Sequence, residues 1–155
     1  MGKLRLFGEL IEAGGAIEGV EQSTGGGHQI ARVVRTAGDY QTGSTSWVDI
    51  DSGNLVINMT TGGGWVQLLL VGTLYVSSMQ TVCFDFTIDG ERQGQTKGVQ
   101  SVQATYAQDI QIAWLTQLSA GSHVFGPQWR VSGGSATLRA SAAETPLVFA
   151  VMELI

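Results

Sequence analysis

The segment Thr81–Ile88 (TVCFDFTI) alternates with a period of two. Val82, Phe84, Phe86 and Ile88 fall on one face, and Cys83, Asp85 and Thr87 on the other. That period belongs to an extended strand with one face on a core, and the Asp89-Gly90 pair that follows is a two-residue hairpin signal. The same pattern recurs along the chain. Trp47–Ile50 and Leu55–Met59 are short apolar runs around a Ser-Gly-Asn turn. Thr60–Gly64 predicts a loop and Trp65–Val71 a strand of the buried type. Thr73–Val76 continues it after a bulge or bend at Gly72. Residues 91–107 read as a return strand and a loop, and Ile110, Ile112 and Trp114 as another alternating strand. Ser119-Ala120-Gly121 turns the chain. His123, Phe125, Trp129 and Val131 then share a face interrupted by Gly126-Pro127. Gly133-Gly134 turns again, Ala136–Ala140 is a short strand, and Leu147–Leu154 is an apolar closing strand with Pro146 at its start. Roughly eight to ten strands at a spacing of about 8–12 residues predict an antiparallel sandwich or barrel.

Composition agrees. There are 22 Gly in 155 residues and 14% charged residues, which disfavours exposed helices and suits many tight turns. At 43% apolar the chain has enough material for one real core. Trp65–Val71 and Leu147–Leu154 are apolar on both faces, so the second face calls for a cover, and a subunit interface would supply one.

The N-terminal region differs. Leu4, Leu6, Phe7, Leu10 and Ile11 stand among charges, followed by AGGAIEGVEQSTGGG over residues 13–27, a connector composition. The chain thus divides into residues 1–27, an arm with a Gly-rich tether, and residues 28–155, a β-sandwich domain. The arm either docks on a neighbouring subunit or partner, or pairs as a first strand of its own domain. Fully extended, 27 residues span about 90 Å at ~3.3 Å each, enough to reach another subunit. His28–Thr36 is ambiguous between helix and strand, and its β-branched residues favour a strand.

No chemistry is written in the residue pattern. The net charge is −5 and the basic residues are scattered, so nothing marks a nucleic acid or anionic membrane partner. Cys83 is the single cysteine and sits in an apolar strand, as a buried structural thiol does. His28 and His123 are the only imidazoles, and no base–nucleophile pair is evident. His123, after a turn, is expected to hydrogen-bond there. Asp49 and Asp51 lead a Ser-Gly-Asn turn, but the twelfth position of a calcium loop is Thr60 and not Glu, so a capped turn is the simpler reading. Asp85 and Asp89, four apart on a strand that ends in a hairpin, share a face, but one alternating strand establishes no second acid across a cleft. The four Trp (47, 65, 114 and 129) lie in apolar contexts, where packing is the usual fate and an exposed sugar-stacking platform the alternative. No run of about 18 apolar residues spans a membrane. Glu9 and Glu12 interrupt what would be the apolar region of a signal peptide, so a soluble, intracellularly made protein is expected. No cofactor, metal or catalytic residue is expected.

Ile88-Asp89-Gly90, Leu118-Ser119-Ala120-Gly121-Ser122-His123, Trp129 and the closing Leu147–Leu154 strand form a set, with Thr60-Thr61-Gly62-Gly63 before them. Over about residues 45–155 this set resembles small jelly-roll virion proteins of tailed bacteriophages, of the trimeric tumour-necrosis-factor and C1q type. With its arm, the chain is most similar to a capsid decoration, or head-stabilising, protein. The resemblance implies an all-β antiparallel jelly-roll sandwich with an extended N-terminal arm and no enzymatic activity. It implies a homotrimer, made in the host cytoplasm, bound to the major capsid protein on the outer capsid surface. Leu4, Leu6, Phe7, Leu10 and Ile11 would then dock the arm. Trp47, Trp65 and Phe149 are the candidate interface or core aromatics. The alternative is a tail or fibre protein whose sandwich binds carbohydrate or a receptor.

Overall fold

The computed structural model describes residues 20–25 and 28–154. Among them every regular element is a strand: β1 Val20–Gly25, β2 His28–Arg35, β3 Tyr40–Thr42, β4 Val48–Asp49, β5 Ile57–Thr61, β6 Gly64–Val76, β7 Gln80–Ile88, β8 Glu91–Arg92, β9 Gln100–Ala104, β10 Ala107–Leu118, β11 Gly121–Val131, β12 Ala136–Leu138 and β13 Leu147–Leu154. All pairings are antiparallel. The first sheet runs β1-β2-β13-β6-β12-β3 with β10 on the other side of β6. The second runs β4-β11-β7-β8, with β5 on β11 and β9 on β7. The eight principal strands in chain order are β2, β5, β6, β7, β9, β10, β11 and β13. One sheet then reads 1-8-3-6 and the other 2-7-4-5, the order of a jelly roll.

The alternation decides which side of each strand faces the core. Val66, Leu68 and Leu70 of β6, Phe149 and Val151 of β13, and Phe84 and Phe86 of β7 are buried between the sheets. Phe86 stacks on Phe149 at 6.0 Å between centroids, joining the two layers. Full burial of each such side chain stabilises the fold by about 1.5–3 kcal/mol relative to exposure.

The structure corrects several sequence expectations. Val20–Gly25 lies inside the expected tether and is instead strand β1, paired residue by residue with β2. The expected Thr60–Gly64 loop shrinks to Gly62-Gly63, because β5 runs on to Thr61 and β6 starts at Gly64. β6 runs on through Gly72 in unbroken register with β10, so no bulge lies there. Gly72 marks the place where the partner on one side changes from β13 to β12, with Leu147 packed over the missing side chain. β11 is also continuous through Gly126-Pro127. Pro127 falls in the gap between β5 and β4, on whose side its carbonyl accepts from Ile50 N at 3.1 Å. N–H and C=O of one residue point the same way in an antiparallel strand, so the missing N–H removes no bond of the ladder with β7.

Candidate subunit interface

The outward side of the first sheet is built by the residues between the core positions. Register aligns them in rows across β2, β13, β6 and β10: Ile30, Met152, Gln67, Leu115; then Arg32, Ala150, Leu69, Ala113; then Val34, Val148, Val71, Gln111. A further row sets Leu154 beside Trp65 and Gln117. Trp65 is 48% exposed, Leu115 50% and Leu154 39%, and they form one corner of this surface. A rectangle four strands wide and seven residues long covers about 450 Å² in projection. Arg32, Gln67, Gln111 and Gln117 interrupt it, so the apolar part is smaller and falls toward the lower end of the ~300–600 Å² reached by the largest, often functional, apolar patch on a protein.

The outward side of the second sheet is different in kind. Asn58, Thr60, Thr81, Thr87, Ser101, Gln103, Ser122 and Gln128 line it, with Val124 as an exposed apolar exception. Over its β7 edge lies the segment 93–99. Asp85 holds that segment: its side chain is out of contact with solvent and accepts from Phe86 N, Gly94 N and Arg92 Nε at 2.8–2.9 Å. Arg92 and Arg130 stand over the Trp47 ring at 4.3 and 5.3 Å, and Arg130 donates to the Thr96 carbonyl. An open cleft of about 330 Å³ beside this region is lined by Asp49, Asp51, Thr87 and Gln128.

The carboxylates of that cleft are already engaged. Asp49 accepts from Gln128 Nε2 at 2.7 Å. Asp51 accepts from Gly53 N, Asn54 N, Asn54 Nδ2 and the Tyr40 hydroxyl, at 2.8–2.9 Å each. Burial pushes Asp51 up, but these donors outweigh it and hold the carboxyl below its usual range. Burial, then the bond to Asp51, pushes Tyr40 up to about 12. Arg35 Nε donates to the same hydroxyl, so the chain from β2 to the 51–54 turn closes one flank of the sandwich. Among the described residues no group of three or more His, Cys, Asp or Glu is placed to hold a metal ion.

Three of the sequence-selected residues are thereby placed apart. Phe149 is in the core, Trp65 is on the outer apolar face, and Trp47 packs on two guanidinium groups against the second sheet. Leu4, Leu6, Phe7, Leu10 and Ile11 lie outside the described residues. Leu69, Val71, Val148, Met152 and Leu154 of the outer face sit within the two strands whose two-sided apolar character was legible. Leu115 had a signal that went unused: it is an apolar residue on the polar phase of an alternating strand.

No family model and no curated protein matches the chain. A structural neighbour is the C-terminal CBM6 of LamC, a marine laminarinase from Zobellia galactanivorans. It shares 12% identity, covers 87% of this chain and 88% of its own, and aligns with a TM-score of 0.31. At that level the likeness carries nothing about function.

Proposed function

We propose that this protein is a non-catalytic structural subunit of a virion. It assembles as a homotrimer through the outer face of its first sheet, binds the outer surface of a bacteriophage capsid and stabilises the major capsid protein lattice there, after synthesis in the host cytoplasm. The observation that supports it best is the contrast between the two outer faces: one mostly apolar, with Arg32, Gln67, Gln111 and Gln117 among its rows, the other lined mainly with Ser, Thr, Asn and Gln. Such a jelly roll hides one face against copies of itself and presents the other to solvent. Three linked copies gain avidity on a repeating lattice without any catalytic group. The location on a capsid rests on the resemblance of the turn and strand motifs described above.

The capsid reading is tested by co-sedimentation with heads assembled without this protein. Because β1 begins at Val20, the informative truncation removes residues 1–19. The expected result is a folded domain that no longer sediments with heads, and undiminished binding would remove the arm from the account.

One observation favours the tail or fibre reading, in which the sandwich binds carbohydrate or a receptor. Tyr106 is 72% exposed and stands edge-on to Tyr75 at 6.1 Å, with Arg139 over the Tyr75 ring. Saturable fluorescence change on titration with host polysaccharide, abolished by Tyr106→Ala, would favour it over capsid binding.

A further inference from the structure

We propose that His123 is a proton-dependent clasp that regulates self-association of this chain, by fixing the turn on which the Trp65–Leu115–Leu154 corner of the outer face is mounted. This rests on the homo-oligomer reading above.

The ring of His123 is 11% exposed and has an acceptor at each nitrogen. Nδ1 is 2.7 Å from Asp89 Oδ2, and Nε2 is 3.0 Å from the Ser119 carbonyl oxygen. A neutral imidazole carries one N–H and satisfies one of these; the imidazolium carries two and satisfies both. The arrangement is therefore that of a charged ring beside a carboxylate. Asp89 cannot easily turn away. It occupies the left-handed region at φ 53 in the β7–β8 turn, and its Oδ1 accepts from Val124 N at 2.8 Å. The bond to Asp89, then that to Ser119, pushes His123 above its ordinary value. Around the ring, the β7–β8 hairpin supplies Asp89 and the exposed Glu91. β5 supplies Met59 opposite and Thr61 beyond it, and β11 supplies Phe125 at 6.2 Å. Among the described residues, the titratable group of the opposite sheet at this end is Glu153, occupied by Gly62 N at 2.7 Å.

The clasp reaches the outer face through contiguous backbone. The Ser119 carbonyl also accepts from Thr61 Oγ1 at 3.0 Å. Gly63 lies so close to the same turn that a Cβ there would stand 3.0 Å from Ala120 N. Leu118 pairs with Gly64, and Gln117 with Trp65. The Gly62-Gly63 loop and the β10–β11 turn thus pack as one unit, from which the strands carrying Trp65 and Leu115 depart. Loss of the His123 proton removes one of its two hydrogen bonds, leaving the turn to Thr61 or Asp89 to Val124 alone, and loosens that unit. The corner is then ordered less well for a neighbouring copy, and assembly weakens as pH rises.

The test is sedimentation velocity on the full chain at pH 5.5, 7.0 and 8.5, for the wild type and His123→Gln, beside an NMR titration of the ring. The wild-type dissociation constant is expected to rise roughly tenfold from the acidic to the alkaline side, the worth of about one charge-assisted hydrogen bond. Its midpoint should coincide with the ring titration, and His123→Gln should be flat. Asp89→Asn is the second variant, and it should move both midpoints down together. A wild-type oligomer indifferent to pH across the ring titration overturns the clasp while leaving the oligomer reading standing. So does a His123→Gln variant that keeps the wild-type pH dependence. A wild-type chain that is monomeric at every pH overturns the oligomer reading, and the clasp with it.

Discussion

Asp85 shows how much a single side chain can depend on distant chain. In the sequence it sits on the polar phase of TVCFDFTI, which predicts exposure. In the structure the segment 93–99 folds over it, and Arg92 and two backbone amides take up its oxygens. No local pattern announces that cover, because the loop begins five residues beyond the end of the strand. Arg92 is partly exposed and keeps the Gly94 and Gln95 carbonyls, so the main loss on removing Asp85 is the acceptor of the Phe86 and Gly94 amides. Asp85→Ala is therefore expected to cost about 1–3 kcal/mol in urea unfolding, and an unchanged midpoint would mean the segment is held by something else. His123 was legible as a turn residue, but its second acceptor was not, since Ser119 and Asp89 come together only in the folded sheet. The pair sets a stability window. The bond to His123, then the Val124 amide, depresses Asp89 below its ordinary 3.8, so its contribution is present above that value and is lost as pH falls further. His123 is raised above its ordinary 6.5, so its contribution is present below that value and is lost as pH rises through the folded value. The melting-temperature advantage of wild type over His123→Gln should accordingly be largest between pH 3.8 and 6.5 and shrink on the alkaline side.

At the scale of elements, alternation located most strands and misjudged their ends. Gly72 and Gly126-Pro127 carry the composition of breaks, yet β6 and β11 run through them. Both sit where a long strand exchanges one short partner for another, and that exchange is a property of the neighbours. Val20–Gly25 was read as tether because Gly and small polar residues surround it, and pairing with β2 overrides that composition. Gly98 is the clearest case of a glycine required by contact. Its φ is +78°, and a Cβ would fall 2.0 Å from the Phe84 carbonyl oxygen and 2.7 Å from the Trp47 ring. Gly98→Ala should therefore lift the 93–99 segment from β7 and destabilise the domain by roughly 1–3 kcal/mol. Calorimetry measures this, and a neutral result would show that the close approach is not required.

For the whole molecule, the jelly-roll order follows from which strands pair, and the contrast of its faces follows from which residues alternate. The candidate interface was half legible: two strands apolar on both sides asked for a cover, while the register that joins them to Leu115 on β10 and Ile30 on β2 came from the fold. The central claim is that the outer face of the first sheet is buried between copies of this chain, and light scattering during size-exclusion chromatography tests it most directly. The chain is 16.4 kDa. The account predicts a mass three times that at micromolar concentration, falling to the single-chain mass in Leu69→Glu, which sets a charge at the middle of the face. A wild-type peak at 16.4 kDa would contradict it, as would a trimer that Leu69→Glu leaves intact.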